Sequence, residues 1–168
     1  GRACGIIAIF LMYTSLISRG KRLAAMTARM AAHGVALRPH LKTAKSVDVA
    51  RRAVTGSFGG ITVSTIAEAA YFAAAEFRDI TYAVGIVPAK LAALASLMHE
   101  GVRLTLLTDD RNGVLALDEV AGTLGIHPEL LIEIDTGLGR AGLVPDAPEV
   151  VALGQTIDNA AILALAGV

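Results

Sequence analysis

The sequence predicts an α/β fold: a parallel (β/α) barrel of the TIM type, incomplete, with about six of the eight barrel strands present. Three observations carry this. Short apolar runs alternate with helical stretches, the pattern of parallel strands joined by crossover helices. Most runs are apolar throughout, so the sheet they build is covered on both faces or closed. The unit repeats with no linker, low-complexity tract or charge run between repeats, and a complete ring takes about 250 residues against 168 here.

The elements follow in order. Cys4 to Tyr13 is nearly all apolar and follows Arg2; it reads as a buried first strand, with a short signal-type apolar region as the alternative, and it is too short to span a bilayer. Six further runs read as strands: Ala36–Lys42, Gly60–Ser64, Ile80–Val84, Val102–Leu107, Leu130–Asp135 and Ile162–Val168. Leu23, Met26 and Met30 share one helical face, and Gly34 is placed to end that helix in a left-handed cap. Thr65 and Glu68 have the spacing of a capping box at the start of an Ala-rich helix. Pro88 suits a first helical turn, Leu91, Leu94 and Met98 form the buried stripe behind it, and Gly101 stops the helix. Asp146, ahead of Pro148, is expected to cap the last helix. The chain begins without methionine and stops within an apolar run, so residues 1–168 read as one barrel domain truncated at its C-terminus.

Composition narrows the function. The chain is 54% hydrophobic and 18% charged, which excludes a disordered protein. Fifteen basic and fifteen acidic residues cancel, and no basic cluster is interleaved with aromatics, so a small ligand is expected and not nucleic acid or a membrane. Cys4 is the single cysteine, and no Cys/His pair has zinc spacing, so no metal site is expected in the chain and a reducing, cytoplasmic location is the default.

The most informative segment is Leu37-Arg-Pro-His-Leu-Lys-Thr-Ala-Lys-Ser46. Strand alternation puts Arg38, His40 and Lys42 on one face, and the C-terminal rim of a barrel strand is where such a cluster serves chemistry. A lysine buried there lowers its pKa or forms an imine, which points to Schiff-base chemistry at Lys42. The same spacing also fits three rim residues solvated beyond the strand. Lys45 is the competing lysine, expected in the loop as a solvated charge or a phosphate neighbour. Glu133 and Asp135 share a face of the fifth run, with Arg140 the nearest cationic partner. Ser64 and Tyr82 stand where neighbouring rim contacts arise, although both also suit ordinary hydroxyls. Gly137-Leu-Gly-Arg-Ala-Gly142 matches a dinucleotide fingerprint in letters only, because Pro145 and Asp146 delay the helix such a motif must open.

The segment RPHLKTAKS resembles the signature of the D-threonine aldolase and D-serine dehydratase-like family, and the resemblance continues through residues 60–69, 79–90 and 132–142, covering about residues 20 to 168. It implies an alanine racemase-like barrel that binds pyridoxal 5'-phosphate. It implies a lyase acting on D-3-hydroxy amino acids, with Lys42 as catalytic lysine and His40, Glu133 and Arg140 as further cofactor-binding residues, which Ser64 and Tyr82 are expected to join from their rim positions. By the same resemblance Arg140 lies by the cofactor's phenolic oxygen, and Glu133 occupies the position of the carbamylated lysine that braces that arginine in alanine racemases. Ala44 stands where many relatives have histidine. The resemblance further implies a divalent metal, Zn or Mn, held by a C-terminal β domain that this chain does not contain, and a homodimer in the full-length form. Racemase, non-catalytic carrier of the cofactor and inactive fragment are the alternative readings.

Overall fold

The computed structural model describes residues 16–56 and 59–168, with side chains from residue 23 onward. The apolar run Cys4 to Tyr13 therefore lies outside the described residues. The chain divides into two compact units, the division falling between Thr81 and Tyr82.

The first unit opens with α1 (Leu16–Ala32). Gly34, at φ 65°, ends it as anticipated. The Gly34 and Val35 N–H groups donate to the Ala31 and Met30 carbonyls, the double closure of a Schellman cap. The run 36–42 does not form a ladder strand. It is extended but pairs with its neighbour only at an isolated parallel bridge, His40 to Thr62. Two groups limit the pairing: Pro39 has no N–H to give, and Arg38 Nη1 donates to the Ile61 carbonyl at 3.3 Å. The same Nη1 meets Asp79 Oδ1 at 2.7 Å, an ion pair with a buried guanidinium. After a turn the chain forms α2 (Val47–Ala53), β1 (Ile61–Val63) and α3 (Ile66–Ala74). Thr65 caps α3, accepting from the Glu68 N–H at 3.1 Å. Leu37, Leu41, Ala50, Ile61, Val63 and Phe72 fill the core of this unit.

β2 (Asp79–Gly85) crosses the division. The second unit then alternates α4 (Pro88–His99), β3 (Arg103–Thr108), α5 (Arg111–Leu124), β4 (Glu129–Ile132), α6 (Pro148–Asp158) and β5 (Ala164–Gly167). Pro88 occupies the first turn of α4, and Gly101, at φ 84°, follows its end. Leu91 and Leu94 are fully buried as expected, whereas Leu97 takes the buried place assigned to Met98. Asp146 does not cap α6: the N-cap is Ala147, which makes no side-chain cap bond. Asp146 lies instead in a turn closed by the Ala147 N–H donating to the Val144 carbonyl. Asp118 on α5 accepts from three successive N–H groups, Ala161, Ile162 and Leu163, and so fixes the approach to β5. Leu91, Leu94, Leu106, Leu117, Leu130 and Leu153 form the core, each such side chain worth roughly 1.5–3 kcal/mol of burial.

The five strands form one sheet in the order β1-β2-β3-β4-β5. The β3–β4 and β4–β5 pairs are parallel, with Leu106 opposite Leu130 and Leu130 opposite Leu165. Sequential order is what an incomplete barrel requires, since a doubly wound sheet reverses its order at a switch point. Among the described residues no helix is long and apolar enough to cross a membrane.

Candidate active site

His40, buried to 6% exposure, sits where the extended segment meets β1. Its Nδ1 accepts the Lys42 backbone N–H at 3.3 Å, and its Nε2 lies 3.1 Å from Ser64 Oγ. A ring nitrogen that accepts carries no proton, so the neutral ring holds its proton on Nε2 and donates it to the Ser64 hydroxyl. Burial is the largest influence holding the His40 pKa below the ordinary histidine value; the Lys42 charge adds to it and Glu68 opposes it. The imidazole is thereby kept neutral. Lys42 itself is half-buried. The structure thus brings together His40, Lys42 and Ser64 of the expected residues. Arg38 is committed to Asp79 at the start of β2, at the other end of the segment.

Glu68 contributes more than a helix cap. In a capping box the N3 carboxylate returns to the N-cap N–H, but here Oε2 accepts the N–H of Ser64, one residue earlier, at 2.8 Å. Oε1 meets Lys45 Nζ at 3.1 Å. Burial pushes the Glu68 carboxyl up, yet the Ser64 N–H, Lys45 and the Thr65 N–H together hold it below the ordinary value. Glu68 therefore stays ionised at neutral pH. Lys45 has a left-handed backbone, φ 33°, uncommon for a residue with a side chain. Its N–H donates to the Leu41 carbonyl, closing the turn that follows His40.

In the second unit Tyr82 is buried within β2, at 2% exposure. Glu133 follows β4, and burial, then the nearby Asp109 charge, raise its carboxyl pKa against the opposing pull of Arg140. Glu133 and Arg140 form no ion pair within 4 Å, and Arg140 is exposed, so the two act on each other through space. Asp135 does not share a working face with Glu133. The strand ends at Ile132, and the Asp135 carboxylate turns into the following loop, accepting N–H groups of Gly137, Leu138 and Gly139. Those bonds lower its pKa, the Gly137 N–H most. They also fill the amide nest that a dinucleotide phosphate would need. Asp109, which the sequence reading did not single out, accepts the Gly142 N–H at 2.9 Å and so holds the far end of the same loop. An aspartate directly after an apolar strand was the only signal for it.

A cavity of about 260 Å³ is lined by His99, Arg103, Ile126, His127 and Glu129 among others. It lies at the N-terminal ends of β3 and β4, the end that serves stability in barrels of this kind, and the Arg103–Glu129 pair spans it with three contacts of 2.8–3.1 Å. Among the described residues no three His, Cys, Asp or Glu side chains gather as a metal site.

A family model described as the alanine racemase N-terminal domain matches residues 20–168. D-threo-3-hydroxyaspartate dehydratase of Delftia sp. (strain HT23) is 40% identical over 140 residues, covering 83% of this chain and 37% of that protein. D-threonine aldolase of Arthrobacter sp. is 35% identical over 134 residues, covering 79% of this chain and 35% of the aldolase. The chain thus spans little more than a third of the length of the curated relatives it matches. Among solved structures, a mutant D-threo-3-hydroxyaspartate dehydratase in the metal-free form is similar at a TM-score of 0.82 with 39% identity, covering 89% of this chain and 40% of that one.

Proposed function

The chain belongs to the alanine racemase N-terminal domain family, and from that premise we propose that it is the cofactor-binding barrel portion of a pyridoxal-phosphate lyase. The proposed substrates are D-3-hydroxy amino acids, and the proposed cofactor-bearing lysine is Lys42. The observation that carries this reading is the joining of Lys42 to His40 and of His40 to Ser64 at the edge of β1. These bonds orient the imidazole and hold the backbone that carries the Lys42 side chain, and a lysine amine is the nucleophile that condenses with an aldehyde.

The residues present fit such a group. The Thr62 hydroxyl, on the residue that pairs with His40, is buried and has no hydrogen-bond partner among the described residues. A buried unpartnered hydroxyl is costly unless a ligand or water satisfies it. Bound pyridoxal phosphate supplies an electron sink for charge developing at the substrate's α-carbon. For the chain's own part, Lys42 would hold the cofactor and move a proton at its Nζ, while His40 and Ser64 fix the backbone that carries it. Arg140 would hold the cofactor's phenolic oxygen, with Glu133 as the carboxylate whose charge answers it. Tyr82 is a further contact from β2. In the whole protein a divalent metal would serve the substrate hydroxyl, and two subunits would pair.

The names of the relatives support a lyase, both a dehydratase and an aldolase being among them. The test is an absorbance titration of the protein with pyridoxal phosphate beside a Lys42→Ala variant. A band near about 420 nm, where protonated imines of this cofactor absorb, should form in the first and not in the second. A band of equal strength in both would remove Lys42 from the reading. Turnover of D-threo-3-hydroxyaspartate, D-threonine and D-serine by the loaded protein then separates a lyase from a non-catalytic carrier.

A further inference from the structure

Two lysines stand three residues apart in the turn after His40, and by exposure alone the wrong one is favoured. The Lys45 side chain is 63% exposed, whereas Lys42 is half-buried, so an aldehyde arriving from solvent meets Lys45 first. We propose that Glu68 selects between them: it withholds Lys45 from carbonyl chemistry by pairing with its ammonium, so that Lys42 is the amine that reacts. The proposal rests on the reading of Lys42 given above.

The geometry supports each part. The Glu68 side chain is 8% exposed, its Oε1 lies 3.1 Å from Lys45 Nζ, and its Oε2 is occupied by the Ser64 N–H. It cannot swing away to follow a departing lysine without abandoning the Ser64 N–H. Lys45 is equally held from its backbone side, with φ 33° and its N–H on the Leu41 carbonyl. An imine forms when an unprotonated amine adds its lone pair to the aldehyde carbon and the adduct loses water. An ammonium has no lone pair to give, and its nitrogen must first lose a proton and with it the charge that the Glu68 carboxylate pairs. The ion pair therefore taxes the reaction at Lys45 before any bond forms. Because Ser64 Oγ receives the His40 Nε2 proton, the same carboxylate that holds Lys45 back also seats the serine supporting the Lys42 side of the turn. Glu68 is thus a positioning residue, which touches neither substrate nor cofactor.

The test is competitive acylation of the 168-residue chain with trace acetic anhydride, reading each lysine by mass spectrometry against Lys90 as internal standard. In Glu68→Gln, which keeps an oxygen for the Ser64 N–H but loses the charge, Lys45 should acylate about two- to fivefold faster relative to Lys90, the range expected for a partly exposed ion pair. Glu68→Ala should give at least the same rise if it folds, and Glu68→Gln decides alone if it does not. A carboxylate that served only as a helix cap would leave Lys45 as slow relative to Lys90 as in wild type, so an unchanged Lys45 ratio in folded Glu68→Gln overturns the proposal. A second arm uses pyridoxal phosphate with borohydride: Glu68→Gln should move a share of the label from Lys42 to Lys45, and label confined to Lys42 in that variant also overturns it. If the wild-type chain takes no label at Lys42, the reading of Lys42 fails, while the acylation ratio still decides the role of Glu68.

Discussion

Nε2 of His40 lies 3.1 Å from Ser64 Oγ, and that one bond ties the extended segment before Lys42 to the end of β1. Ser64→Ala would leave a buried N–H donor without its acceptor, which costs roughly 1–3 kcal/mol. The loss should appear as a lower urea midpoint with an unchanged slope. Because the folded His40 pKa is below its unfolded value, its contribution is fully present above the ordinary histidine value and is lost as pH falls from there toward the folded value. Histidine NMR on the chain should show His40 neutral at pH 7 with the proton on Nε2. An imidazolium at that pH would contradict the assignment.

Glu133 carries the opposite sign. Its folded pKa is raised, by burial first and Asp109 second, so its contribution to stability is present below the ordinary glutamate value and is lost as pH rises through the folded one. Glu133→Gln removes a carboxylate that the fold disfavours at neutral pH. The variant should be as stable as wild type or up to about 1 kcal/mol more so at pH 7, and should lose that advantage at about pH 3.5, where the wild-type carboxyl is protonated. Asp109→Asn should lower the Glu133 pKa, read by carboxyl NMR. The same Glu133→Gln variant should weaken binding of pyridoxal phosphate if Glu133 answers the charge of Arg140.

Gly142 is the tightest point of the loop after β4. At φ 92° a Cβ would stand 2.7 Å from the Asp135 nitrogen and the Ile134 carbonyl carbon. No flexible side chain is available to give way there. Gly142→Ala should cost about 1–3 kcal/mol or more and break the isolated bridge between Ile134 and Leu143. Hydrogen exchange at the Leu143 amide, which donates to the Glu133 carbonyl, checks it directly.

Local chemistry was legible in the sequence where one residue fixes its own neighbourhood. Gly34 closes α1, Thr65 caps α3 and Pro88 opens α4 as read, because each depends on a few adjacent bonds. Asp146 failed on the same logic, since the turn ahead of Pro148 moved the cap to Ala147. The alternation that paired Glu133 with Asp135 failed because it presumes a strand, and the strand ends at Ile132. Among the candidate residues, His40 and Lys42 are neighbours within one motif of the sequence, but the bond from His40 to Ser64 depends on a register 24 residues away. Glu68 was visible as a cap and invisible as a partner of Ser64 and Lys45. Asp109 carried no signal beyond its place directly after an apolar strand, and its reach across 33 residues to Gly142 is visible only in the fold.

The central claim is that Lys42 is the amine that carries the cofactor. Its most direct test is borohydride reduction of the chain incubated with pyridoxal phosphate, followed by peptide mass mapping. The account predicts the phosphopyridoxyl mass on the peptide containing Lys42, at Lys42, and its absence there in Lys42→Ala. Label found chiefly on Lys45, or spread evenly over the exposed lysines, would contradict it.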